Sequence, residues 1–156
     1  MKTIRLMILS LAWIALCLPA HAADKDPNLA LIKARQGEME IRSMYAAPLF
    51  MMAKGTIPYD AEKAQTLANN LQALMKIDMG MAWVPGTGTD KYPDLSHSLP
   101  DVWSTYPAIS KKGKQYSEAV NSLAKVAGTG LDGLRSGIGD LGQGCKDCHD
   151  EFRQKD

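Results

Sequence analysis

Leu131, Leu134, Ile138, Leu141, Cys145, Cys148 and Phe152 recur at intervals of three and four, the spacing of a helix that packs one stripe against other helices. A second stripe, Ile109, Gly113, Tyr116, Val120, Leu123 and Ala127, ends at Gly128-Thr129-Gly130. So short a connection implies antiparallel neighbours. Further upstream, Ala64, Leu67, Leu71 and Leu74 follow Pro58-Tyr59, with Asp60 as N-cap and Glu62 in the first turn. The earliest stripe opens at Pro27, a favoured first-turn residue, and runs through Leu29, Ile32, Gln36 and Met39 toward Ala53. Pro48 is expected to kink this helix or end it early. Between the second and third helices, residues 84–107 carry Pro85-Gly86, Gly88, Pro93, Pro100 and Pro107 together with Tyr92, Trp103 and Tyr106. A segment of that length is more than a turn and is expected to cross one end of the bundle, with Asp101 capping a short helical turn around Trp103. The pattern predicts an all-α protein: an antiparallel four-helix bundle with a long loop between helices 2 and 3.

The first residues change the picture of what the folded chain contains. Lys2 and Arg5 precede an apolar run over 6–18, and Ala20-His21-Ala22 has the small-x-small form of a cleavage site. Residues 1–22 therefore read as a secretory signal peptide, with 23–156 as one domain. About 13 apolar residues fall short of the roughly 20 that span a bilayer, so no membrane span is expected after cleavage. Loss of Lys2 and Arg5 turns the formal charge from +1 to −1, which implies no polycationic face for nucleic acid. A partner chosen by charge would instead present a basic patch.

Signal removal also takes Cys17 away, leaving the pair in Cys145-Lys146-Asp147-Cys148-His149. This C-x-x-C-H element reads as attachment of a c-type haem: each thiol can form a thioether with one vinyl group, and the adjacent imidazole can reach the iron. The competing readings are a redox dithiol, half of a zinc site and a local disulfide. A zinc site wants about four protein ligands, and beyond these residues only His97 and carboxylates are left to complete it. A thioredoxin-type dithiol follows a strand, whereas helical spacing surrounds this motif. Both thiols fall on the core stripe, and His149 projects beside it toward a cofactor within the bundle. Gly133, Gly137, Gly139, Gly142 and Gly144 lie in the same helix. They mark either close approach of another backbone or the porphyrin, or a late helix start.

With Ala34-Arg35-Gln36 and Met39 in the first helix, Pro58-Tyr59-Asp60 opening the second, Pro85-Gly86-Thr87 and Pro100-Asp101-Val102-Trp103 in the loop and the haem motif near the C-terminus, the chain resembles the class II cytochromes c, specifically cytochrome c′. The resemblance covers essentially all of 23–156. It implies one haem c bound through Cys145 and Cys148 in the bundle core and His149 as axial iron ligand. Arg35 would contact the propionates, Gln36 the haem, and Arg153 would stand beside the proximal imidazole. Met39 would face the other side of the iron. Residues 90–96 depart from the family pattern as an insertion, which leaves contacts from Ser98 or Leu99 open. Family members pair through their first two helices, so a homodimer is expected. Ile41, Tyr45, Leu49 and Phe50 are the apolar residues available for that face, unless they cover the core.

Function then turns on Met39. If its thioether ligates the iron opposite His149, the site is six-coordinate, low-spin and a pure electron carrier. If it only packs there, the iron is five-coordinate, high-spin and open to a diatomic gas such as nitric oxide or carbon monoxide. The resemblance favours the open form, in a periplasmic protein that also exchanges electrons with redox partners. Met44, Met51, Met52, Met75, Met79 and Met81 read as core filler. An enzyme is not expected, because no paired carboxylate is placed beside the haem and His97 reads as solvated in the loop.

Overall fold

Proline opens the first helix but does not close it. The structure, a computed structural model, describes residues 26–155; the expected signal peptide and Cys17 lie outside the described residues. Helix α1 spans Pro27–Lys54, and the Asp26 carboxylate accepts from the Asn28 N–H at 2.9 Å. Contrary to the expectation that Pro48 could end it early, α1 continues past that residue to Lys54. Ala46, Leu49 and Met52 are buried on either side of the proline, so packing there outweighs the single backbone hydrogen bond its ring removes. Gly55 terminates α1 at φ 74°, a conformation that glycine adopts without penalty, and returns its N–H to Met52 O at 3.0 Å.

Helix α2, Ala61–Leu74, starts as expected from Asp60, whose carboxylate accepts from Lys63 N–H at 3.0 Å. A 3₁₀ turn, Gly80–Ala82, and the single-turn α3, Asp101–Ser104, interrupt the long connection. Asp101 is the first residue of α3 and Pro100 takes the cap position, so the expected Asp101 cap does not form. Its carboxylate instead accepts from the Ser104 hydroxyl at 3.3 Å. Helices α4, Ala108–Val126, and α5, Leu131–Phe152, are joined through Gly130 at φ 137°.

The four long helices pack in a ring, α1 on α2, α2 on α4, α4 on α5 and α5 on α1. Each contact is antiparallel. Gln65 of α2 donates to Ala124 O at 2.8 Å while Gln72, further along α2, donates to Asn121 at 3.0 Å. On the opposite side, Arg135 of α5 reaches Ala53 O at 3.0 Å near the end of α1. This is the four-helix bundle that the stripes predict. Leu71, Val120, Leu123, Leu134 and Leu141 are fully buried at its centre.

Gly137 and Gly144 of α5 serve close packing against α4, whereas Gly139 faces open space. The helix begins at Leu131, before them all, which removes the late-start reading. A Cβ on Gly137 would lie 3.2 Å from Leu123 Cα, and one on Gly144 would lie 3.3 Å from Tyr116 Cα, so α4 and α5 approach more closely than side chains would allow. In the outer layer Leu49 is fully buried and Tyr45 and Phe50 pack against the core, so three of the four residues weighed for a pairing face cover the core, whereas Met44, Met51 and Met81, read as core filler, are exposed. Gly113, placed on the α4 stripe by its spacing, is also exposed, and Ala119 is buried instead. No helix among the described residues is long and apolar enough to cross a membrane.

Candidate functional site

Where α1, the long loop and the last turns of α5 meet, a cavity of about 540 Å³ opens to solvent. Helical spacing assembles its walls. Ile32, Arg35, Gln36 and Met39 share one face of α1, and Cys148, His149 and Phe152 face them from α5, with Arg153 at the helix end. The structure thus brings Arg35, Gln36, Met39, Cys148, His149 and Arg153 to one cavity. Cys145 lies one turn deeper and packs against the core cluster that contains Tyr116. Both thiols are free and half-buried. The volume is in the range of pockets that hold small molecules, about 300–1,000 Å³.

Arg35 organises the wall opposite α5. It is 4% exposed and has no carboxylate partner among the described residues. Its guanidinium donates to Ala82 O at 2.7 Å, to Thr87 Oγ1 at 2.6 Å, to Thr87 O at 2.9 Å and to Ser96 Oγ at 3.4 Å. The Trp83 ring lies 5.0 Å away and the Trp103 ring 5.9 Å away, so two indoles flank the cation. Trp103 Nε1–H donates in turn to Trp83 O at 2.9 Å. Burial pulls the Arg35 pKa below the usual arginine value, yet the group stays a cation at neutral pH. The cavity wall therefore carries a buried positive charge with no ion-pair partner among the described residues.

The rest of the loop is fastened at both ends. Gln36 Nε2 donates to Leu95 O at 2.5 Å, Asn28 donates to the Tyr92 hydroxyl at 3.0 Å, and that hydroxyl donates to the Asp26 carboxylate. At the far side Leu99 N–H reaches Phe152 O at 2.9 Å and Gln154 N–H reaches His97 O at 2.8 Å, forming an antiparallel bridge between Ser98 and Arg153. Ser98 is therefore part of the wall and Leu99 is not. His97 is exposed, as expected, but stands at the cavity rim, which its sequence setting did not indicate. Trp83, Thr87 and Ser96 were also missed as site-building residues. The one available signal was the pair of tryptophans flanking a Pro-Gly-rich loop.

The electrostatics separate the competing chemistries. Burial is the main force raising the Cys145 and Cys148 thiols above the ordinary cysteine value, with the Arg42 charge opposing it. They stay protonated at neutral pH, whereas a redox dithiol needs an accessible thiolate. Burial first, then the Arg153 charge, lowers the His149 pKa, which favours the neutral imidazole that ligates metals. Among the described residues no group of three or more His, Cys, Asp or Glu is arranged to hold a metal ion, so nothing there completes a zinc site around the motif. No strand precedes the motif among the described residues either.

Two half-buried thiols three residues apart on one helix, with a neutral imidazole after the second and a large cavity alongside, fit a covalently held planar macrocycle. Fold and site together define a four-helix-bundle protein of the c-type haem class. The family model described as Cytochrome C' matches residues 30–153, and the chain belongs to the cytochrome c′ family, whose cofactor is haem c. A cytochrome c′ of Cereibacter sphaeroides is 35% identical over 145 residues, covering 93% of this chain and 96% of the relative. The solved cytochrome c′ from Rhodobacter sphaeroides superposes with a TM-score of 0.81 at 34% identity, covering 84% of this chain and all of that one. The nitric oxide complex of a variant cytochrome c prime from Alcaligenes xylosoxidans gives a TM-score of 0.70 at 27% identity, covering 82% and 97%. Another solved cytochrome c′ is described by an unusual ligand-controlled dimer dissociation.

Thr87 offers a direct check on the Arg35 cage. It is fully buried, and its hydroxyl accepts from Arg35 while donating to Val84 O at 2.7 Å. Thr87→Val keeps the shape and removes both bonds, leaving Val84 O and one guanidinium N–H without this partner. Urea unfolding of the variant is expected to show a loss of about 1–3 kcal/mol. An unchanged midpoint would contradict the cage.

Proposed function

We propose that this chain is an exported, periplasmic haem protein whose iron is five-coordinate, held by His149 and open on the Met39 side to a diatomic such as nitric oxide or carbon monoxide. The observation that carries the reading is the single cavity lined by residues of α1 and of the C-x-x-C-H turn. When bound, haem c supplies an iron that cycles between Fe(III) and Fe(II) and can take a small ligand. Cys145 and Cys148 fix the macrocycle at two points on α5. His149, kept neutral by burial, offers its lone pair to the iron, with Arg153 beside it. Arg35 presents a cation for a propionate, and Gln36 fastens the loop beside the cavity through the Leu95 carbonyl. Met39 crowds the α1 side with an apolar, polarizable thioether that excludes water better than it excludes a linear diatomic.

One observation keeps a second reading in play: Met39 lines the same cavity as His149, from the opposite helix. Ligation by both residues would give a low-spin electron carrier with a raised reduction potential. Neither form requires an acid–base catalyst, consistent with a carrier or gas-binding protein that is not an enzyme.

Ile41, Met44 and Met51 form an exposed apolar stripe on α1, whereas Tyr45 and Phe50 pack against the core. A second copy of this chain is the proposed occupant, paired through α1 and α2. Sedimentation at micromolar concentration should give a dimer, and a clean monomer would remove this assignment.

Absorption and electron paramagnetic resonance spectra test the open site. High-spin ferric iron, and a ferrous form that binds carbon monoxide readily, are the expected results. Low-spin spectra with a methionine-to-iron charge-transfer band, lost in Met39→Ala, would overturn the five-coordinate reading.

A further inference from the structure

Arg42 follows Met39 by one helical turn and does not line the cavity. The guanidinium pairs with the Glu38 carboxylate one turn back on α1 and lies 4.9 Å from the centre of the Tyr116 ring on α4. Glu38 and Tyr116 are each 7% exposed. Arg42 Nε is buried and has no hydrogen-bond partner among the described residues. Tyr116 is also the residue against which α5 packs at Gly144, immediately before Cys145, and Cys145 belongs to the same packed cluster. The guanidinium therefore stands where α1, α4 and α5 converge on the attachment thiols.

A packing role alone does not account for this arrangement. An apolar side chain would fill the space without burying an ion pair or leaving a donor unsatisfied, both of which oppose folding. The Arg42 charge opposes the upward shift that burial imposes on both thiols, so the cationic end of the pair bears on the attachment point.

We propose that Arg42, held in place by Glu38 and Tyr116, is the residue that sets the reduction potential of the haem. The proposal rests on the haem reading above. In the step concerned, Fe(III) accepts one electron from an external one-electron carrier and becomes Fe(II); no bond forms or breaks, and the site loses one positive charge. A fixed cation nearby favours the less positive product, so Arg42 raises the potential, and Glu38 limits the rise by partial compensation. Arg42 acts as a tuning residue through its charge and touches no reacting atom.

Spectroelectrochemical titration of the holoprotein tests this with three variants. Arg42→Met, similar in length and uncharged, should shift the Fe(III)/Fe(II) equilibrium toward Fe(III) roughly tenfold, a fall of about 59 mV for one electron. Arg42→Lys keeps the charge and should keep most of the potential. An unmoved potential in Arg42→Met, or an equal fall in Arg42→Lys, would overturn the proposal, the latter because packing and not charge would then be responsible. Should Arg42→Met fail to load haem, Glu38→Gln carries the test: removing the compensating anion should raise the potential, and an unchanged or lowered value contradicts the role. Covalent haem in the denatured wild type is read separately. Its absence would overturn the haem reading itself, whereas a loaded wild type with unresponsive variants defeats only the inference about Arg42.

Discussion

Arg35 leaves water to lie between two indole rings, and the wall of the cavity is built around that choice. A buried guanidinium needs its N–H groups satisfied, and the acceptors come from Ala82, Thr87 and Ser96, all in the long connection between α2 and α4. Hydrogen bonds to a charged donor contribute on the order of 1.5–3 kcal/mol each, enough to fold a segment rich in proline and glycine around one side chain. Together with the Gln36–Leu95 and Asn28–Tyr92 bonds, that anchor lays the loop across α1. With it, the loop closes one side of the cavity, and the backbone bonds of His97 and Leu99 to the end of α5 close another.

The same cation bears on function because it is buried with no ion-pair partner among the described residues. Buried charges are ordinarily paired, and the cavity beside Arg35 is where a propionate would supply the pairing. Across the cavity, burial keeps the two thiols protonated and the imidazole neutral. One environment thus prepares three groups: thiols that are poor redox nucleophiles, a histidine ready to ligate, and an arginine in want of an anion. Arg42 adds a second charge at the deeper end of the bundle, near the point of covalent attachment.

Much of the bundle was legible in the sequence because helix stripes and caps are local. The α5 stripe, the Asp60 cap and the Gly128-Thr129-Gly130 turn each depend on residues within a few positions of one another. Pro48 does not end α1 early, because tertiary packing of Leu49 and Met52 carries the helix past it. The α1 methionines misled for a related reason: Met44 and Met52 have the same chemistry, and only the position of α2 and α5 decides which is covered. At the site, the motif and the resemblance named residues that do converge on one cavity, yet the depth of Cys145 and the loop contacts of Arg35 were hidden. Those contacts join residues 47 to 61 positions apart through a loop with no periodicity to read.

The central claim is that the cavity between α1 and α5 holds a haem c attached to α5, and the most direct measurement is mass spectrometry of the exported protein after denaturation and proteolysis. The account predicts a chain beginning at residue 23, a haem retained on the peptide that contains 145–149, and no thiol open to alkylation. Recovery of that peptide without haem, and with both Cys145 and Cys148 alkylated, would contradict it.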